Sequence, residues 1–399
     1  MIQTNIYTVL MIFFALYVIA KHFNKMGVIL VVWYAIIGVM ASVAADQGCF
    51  GGRSISILPY FFLIFIFAIA FSPFLSRKSD VSVGKLVFET NVKYVIFAWL
   101  FMIASIISIS FYLPQVMDLL STGAWNANRA NLYSGSLSFN TAWYQYYSLQ
   151  FSEYTRLLGL IVGFAFLRNN EHVKLGWACI LLGVATETMS AMYTSSRGSI
   201  VNIAILVGVI YVFFYQDLER KKRNLIVFLS CIALLAVVPY VLEVTVSRFS
   251  SEASSSLIEY FGQSPVVFNY GVSGINKYLY GEYAFGSLFG GRGISPTDVG
   301  GSWGSGFYTF VGWLFIDWGW IGTIIVASII AFLIDYIIKK GTYLISDVYI
   351  IFFVYYTLLQ GVFVIGRDYM YHIVAAILIY WFLKIFFDKY TFKIGRIEL

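Results

Sequence analysis

Apolar runs of about 20 residues recur from one end of this chain to the other, and no other feature constrains its fold as strongly. They lie roughly at 5–20, 26–45, 55–75, 94–113, 148–167, 175–194, 198–215, 224–243, 316–338, 348–366 and 369–387. Each is long enough to cross the hydrocarbon core of a bilayer as a helix, the form in which every backbone N–H and C=O is satisfied within the segment. Of the 399 residues, 60% are hydrophobic and 12% charged, which leaves too little polar surface to cover a water-soluble globule. The expected fold is an all-α polytopic integral membrane protein of about eleven transmembrane helices, with 1–399 as a single membrane domain. The first run follows an uncharged MIQTN without a small-residue cleavage site, so it reads as a retained span. Cys49, Cys179 and Cys231 imply neither a disulfide framework nor a cysteine metal site.

In a soluble protein a formal charge of +6 would suggest nucleic acid, but between spans basic residues report topology first. Sorted into alternate loops, 18 of the 26 Lys and Arg residues fall on one side, including Lys21, Lys25, Arg77, Lys78, Arg168, Arg220–Arg223, Lys339 and Lys340. The positive-inside rule makes that side cytoplasmic. The amino terminus is then outside and the carboxyl terminus inside, a parity that eleven spans satisfy. The expected layout is that of a multi-pass membrane protein, with the opposite face outside.

Two outer loops, roughly 114–147 and 244–315, are much longer than the rest and too aromatic for disorder. Each is expected to contain short helices, and the stretch SRFSSEASSSLIEYFGQ is expected to lie as an amphipathic helix on the membrane surface. Helical spacing there would put Arg248 and Glu252 on one face, with Glu259 further along it. The outer basic remainder is Arg53, Arg129, Arg156, Arg197, Arg248, Lys277, Arg292 and Arg367; seven of the eight are Arg, against five of the 18 inner ones. Topology would accept either residue, whereas a guanidinium grips phosphate oxygens through two parallel hydrogen bonds. Eleven acidic residues share this outer half, so the Arg residues are individually placed groups in a net-acidic setting and not a general basic surface.

Arg197 is the best placed of them. In YTSSRGSIVNI a tight turn puts Ser195, Ser196, Arg197 and Gly198 at the amino end of the seventh run, where unpaired N–H groups, the helix dipole and hydroxyls favour an anion. Arg367 stands in the corresponding place before the last run, and Arg292 lies among glycines in FGGRGIS. Against these readings, an interfacial Arg also snorkels or pairs locally, as Arg367 would with Asp368 and Arg156 with Glu153. Tyr and Trp crowd both long loops beyond what an interfacial belt needs, and their faces stack on sugar rings. Arg, aromatics and carboxylates on one membrane face together suggest a lipid-linked phosphosugar.

The chain has no His-Glu-x-x-His, Asp-x-Asp or Cys/His cluster and no Gly-rich nucleotide loop on its inner side, so neither metal nor cofactor is expected. Substrate energy would arrive preformed in a polyprenyl-diphosphate sugar, whose leaving group needs charge neutralisation. Arg129, Arg197, Arg248, Arg292 and Arg367 are the candidate diphosphate ligands. His22 and His172 are inner and His372 lies within a span, which leaves Glu187, Glu252 and Asp317 as candidate bases for the acceptor hydroxyl. Glu187 is an intramembrane acid and equally a partner for an Arg; Asp317 equally caps or pairs.

With its eleven spans, two long outer loops, SSRGS at Ser195–Ser199, RFSSE from Arg248, FIDWGWIG at 315–322 and an Arg-x10-Gly pattern from Arg197 to Gly208, the chain resembles the O-antigen polymerase (Wzy) group. That resemblance implies transfer of a growing glycan from undecaprenyl diphosphate to a new lipid-linked repeat unit on the periplasmic side, with a chain-length regulator and a flippase as possible partners and no nucleic acid. O-antigen ligases resemble the polymerases in layout but are expected to carry a His in the large outer loop, and none occurs between 173 and 371. A flippase or anion transporter is the alternative of another class; internal repeats and broken helices would mark it.

Overall fold

The computed structural model describes residues 2–21, 24–50, 55–75, 86–88, 91–133, 141–249, 253–286, 309–362, 369–388, 393–394 and 397–398. Among them the protein is all-α apart from a two-residue ladder, Lys393–Ile394 with Ile397–Glu398, near the carboxyl terminus. Fourteen helices follow in order: α1 Ile2–Ala20, α2 Lys25–Asp46, α3 Leu58–Leu75, α4 Val92–Thr122, α5 Trp125–Tyr133, α6 Trp143–Asn169, α7 Val173–Tyr193, α8 Arg197–Phe214, α9 Arg220–Phe249, α10 Ala253–Ser273, α11 Glu282–Phe285, α12 Phe310–Ile338, α13 Ile345–Gln360 and α14 Tyr369–Phe386. Eleven of them fall on the eleven apolar runs. Eight of these are long and apolar enough to cross a membrane, which makes this a polytopic membrane protein. The other three are α6, which carries Glu153, Arg156 and Arg168, and the shorter apolar α13 and α14.

The remaining helices, α5, α10 and α11, belong to the two long connections. α10 departs from the expected surface helix. Its second half is buried through Val266, Val267, Phe268 and Tyr270, and a Cβ on Gly262 would come within 2.6 Å of the Met40 and Ala41 backbone. α10 is therefore part of a core against α2. The Ser-rich start of the segment is amphipathic, but the apolar run beyond Pro265 decides where it packs. Arg248 falls in the last turn of α9 and not on that helix. α4 also outruns its expected end, passing through Pro114 to a left-handed cap at Gly123 (φ 64°), because Val116 and Leu119 still have a core to fill.

The contacts divide the chain into two compact units, and α13 and α14 each contribute to both. The first comprises 1–81, 252–341 and 354–374. Its helices α1, α2 and α3 are joined by hydroxyls in the apolar interior: Thr8 donates to the Gly38 carbonyl at 2.5 Å, and Thr4 bonds the Tyr60 hydroxyl at 3.2 Å. Asn269 of α10 pairs with both backbone groups of Ser56, accepting at 3.0 Å and donating at 2.6 Å. Such side-chain bonds are how helices adhere where lipid supplies no hydrophobic drive.

The second unit comprises 82–251, 342–353 and 375–399. α4, α6 and α7 form its centre. Gly163 and Gly176 let α6 and α7 touch backbone to backbone, since a Cβ on Gly163 would stand 2.9 Å from the Gly176 carbonyl oxygen. Lys384 of α14 lies in a buried cluster, 3.2 Å from Asp347 and 4.0 Å from Asp388, and Asp388 also accepts from Ser346 and Tyr94. Burial raises the Asp388 carboxyl above its ordinary 3.8, although the Ser346 hydrogen bond and Lys384 oppose it. α9 differs from the other seven long spans: 11% of its apolar window is buried, against 33% to 56% in the rest. It is held near its ends, by Lys222 donating to the Leu167 carbonyl at 2.7 Å and by Tyr240 donating to the Ala191 carbonyl at 3.0 Å.

Candidate functional site

The turn between α7 and α8 brings together more of the expected site residues than any other described region. α7 closes in a pair of nested hydrogen bonds, Ser196 N–H to Ala191 C=O at 2.8 Å and Ser195 N–H to Met192 C=O at 3.0 Å. This is a Schellman closure, and its left-handed position is Ser195, with φ 50°. Ser196 then serves as the N-cap of α8: its Oγ accepts from the Ser199 N–H at 3.4 Å and from the Ser199 hydroxyl at 3.1 Å. Thr194 and Ser195 alone separate the last residue of α7 from the cap of α8. Arg197 is thereby the first residue of α8, half-buried where the helix dipole is positive.

Sequence reasoning had no signal for how α5 completes this place. Trp125 is buried in a cluster with Leu119, Ala191, Ile200, Tyr240 and Val244, edge-on to the Tyr240 ring at 4.9 Å. With that anchor fixed, the next turn of α5 lies against the α7–α8 turn. Asn128 Nδ2 donates to the Tyr193 carbonyl at 2.7 Å and to Ser195 Oγ at 3.3 Å, and Arg129 Nη1 donates to the Ser195 carbonyl at 3.3 Å. Two of the five candidate diphosphate ligands so meet one turn, Arg129 through its bond to the Ser195 carbonyl and Arg197 as the first residue of α8. Glu243 of α9 is exposed in the same unit, its Oε1 3.2 Å from where a Cβ on Gly123 would stand.

The other candidates divide by environment. Glu187 is in an ion pair: its Oε2 lies 2.5 Å from Arg156 Nη1, with the side chains 13% and 16% exposed. The pair joins α6 to α7. Asp317 is a backbone cap. Its Oδ1 accepts from Tyr283 N–H at 2.9 Å and its Oδ2 from Ala284 N–H at 2.8 Å, which fixes the four-residue α11 on α12. Two residues on, Gly319 breaks α12 at φ 60° and ψ −160°, and the ring of Tyr278 fills the space a Cβ would need. The break leaves the carbonyls of Ile316 and Asp317 to accept from Leu279 and Tyr280, at 3.1 Å and 2.8 Å. Burial raises the Tyr278 phenol above its ordinary value, and neighbouring Tyr280 adds to the shift. Glu252, Arg292 and Arg367 lie outside the described residues, as does the side chain of Arg248.

Among the described residues no group of three His, Cys, Asp or Glu side chains could hold a metal ion. The chain matches no family model, no curated protein and no solved structure.

Proposed function

We propose that this protein is a polysaccharide polymerase of the bacterial inner membrane, which transfers a growing glycan from undecaprenyl diphosphate to a lipid-linked repeat unit at the periplasmic face. One observation carries the reading: α5, from the first long loop, puts the Arg129 guanidinium on the Ser195 carbonyl, in the turn that leads into the capped amino end of α8 and Arg197. A doubly charged leaving group requires this combination of guanidinium donors, helix dipole and hydroxyls in a low-dielectric setting. The basic-residue asymmetry supports an outer position for that end.

In this reading the acceptor hydroxyl oxygen bonds the anomeric carbon of the donor sugar. The carbon–oxygen bond to the diphosphate breaks, and its electron pair leaves with undecaprenyl diphosphate. Arg129 and Arg197 neutralise the developing charge, and the hydroxyl proton passes to a carboxylate. Glu187 is committed to Arg156 and Asp317 to two backbone N–H groups, so the base is assigned to Glu252 or to the exposed Glu243. The exposed aromatics at the start of α6, Trp143, Tyr144, Tyr146 and Tyr147, offer faces to sugar rings at that same end.

A second reading, a flippase for the same lipid-linked glycan, is favoured by one feature, the break of α12 at Gly319. Purified protein incubated with lipid-linked repeat units separates the readings on a gel. A ladder of glycans supports the polymerase, and a single transfer to another acceptor supports a ligase. Movement across a vesicle without bond formation supports the flippase and overturns the polymerase.

A further inference from the structure

We infer that Asn128 is a positioning residue for this site, holding Ser195 in the conformation that aims the amino end of α8 at the phosphate. The inference rests on the diphosphate reading above and adds to it the residue that sets the geometry.

Ser195 is out of pattern. Other helices of the same unit that end in the left-handed region use residues suited to it, Gly123 after α4 at φ 64° and Asn170 after α6 at φ 58°. Glycine has no Cβ to clash there and asparagine tolerates the region, whereas for serine the conformation costs about 1 kcal/mol. The two backbone bonds of the closure work against that cost from within the turn, and side chains of α5 add to them from outside. The Asn128 amide is suited to the task, because its two N–H donors, carried on one nitrogen, reach one acceptor ahead of the strained residue, the Tyr193 carbonyl, and one on it, Ser195 Oγ. Ser195 is fully buried, so its hydroxyl serves as the handle by which α5 grips the turn. A glycine at this position would relieve the strain and lose the handle.

Docking of the first long loop and shaping of the anion site are then one event. The angle at which α8 leaves the turn depends on Ser195, and the Arg197 guanidinium and the N–H groups of the first turn follow that angle. Asn128 itself donates to protein groups and not to the ligand, so its effect passes through the turn.

The test measures binding of inorganic diphosphate to the purified full-length protein in detergent by calorimetry, with the melting temperature of each variant alongside. Asn128→Ala removes both hydrogen bonds and is expected to weaken binding about tenfold with a small change in melting temperature. Adding Ser195→Gly to Asn128→Ala makes the left-handed conformation intrinsically favourable and is expected to restore affinity to within about threefold of the original. Rescue by a residue that cannot re-form the Ser195 hydroxyl bond identifies positioning as the cause. Wild-type affinity in Asn128→Ala, in a chain where Arg197→Ala weakens binding by about 30-fold, overturns the positioning role and leaves the diphosphate reading standing. Failure of Ser195→Gly to rescue does the same. Unchanged binding in Arg197→Ala overturns the diphosphate reading, and the role of Asn128 falls with it.

Discussion

Two turns in this protein carry a charged residue at a helix end, and their hydrogen bonds run in opposite directions. At the α7–α8 turn, side chains of α5 donate to backbone carbonyls, and the charged groups nearby are the guanidinium groups of Arg129 and Arg197. At α11, in the other unit, the carboxylate of Asp317 accepts from backbone N–H groups. The first turn uses cations and amides to order a helix amino end while its positive pole stays suited to an anion. The second brings its own anion, and that anion is consumed in holding a one-turn helix against a broken one. A charged residue at a helix end is therefore informative about ligands only once the direction of its hydrogen bonds is known.

The comparison can be broken most severely below the first turn. Arg156→Ala or Glu187→Ala leaves a largely buried partner charge unpaired and is expected to cost about 3–5 kcal/mol of stability. The double substitution should recover much of that loss in a detergent melting experiment. If Glu187 were instead the general base, Glu187→Gln would abolish turnover while the melting temperature stayed put.

Asp317→Ala comes next. It strands the Tyr283 and Ala284 N–H groups in a buried place, an expected cost of about 2–4 kcal/mol, and diphosphate binding should remain in whatever protein folds. Arg197→Ala should do the reverse, changing stability by less than about 0.5 kcal/mol while weakening diphosphate binding by about 30-fold. Equal effects of the two substitutions on binding would erase the distinction between the turns.

The smallest expected effect lies at Asp388. Burial raises its carboxyl above 3.8, so the folded protein holds that proton to higher pH than the unfolded chain does. Its contribution to stability is greatest below 3.8, falls as pH rises through the folded value and stays low above it. Asp388→Asn should therefore melt slightly higher than the parent at neutral pH and show no advantage at pH 3, as followed by thermal melting at several pH values.

Hydropathy made the spans legible because each run has to cross a fixed apolar thickness, and a helix covers every run, although α4 and α9 continue past the expected ends to Thr122 and Phe249. It was silent on α10, where the apolar stretch after Pro265 is too short to stand out as a span and is buried by protein. It was equally silent on where α4 stops, since Pro114 resembles a loop signal while the core continues past it. Within the candidate site, Ser195–Ser199 was readable as a local pattern, a helix start with hydroxyls and an Arg. The contribution of Asn128 was not, because it depends on Trp125 finding a cluster built from residues up to 119 positions away in sequence, at Val244. The partner of Glu187 was foreseen in kind, as an Arg, while its identity as Arg156 follows from the backbone-to-backbone packing of α6 and α7.

The most direct test of the account is the glycan ladder formed by Arg197→Lys from lipid-linked repeat units, compared with the parent protein at equal folded concentration. Lysine keeps the charge and loses the planar pair of donors. The account predicts a fall in polymerisation of about 100-fold with an unchanged melting temperature. A full ladder at the parental rate would contradict it.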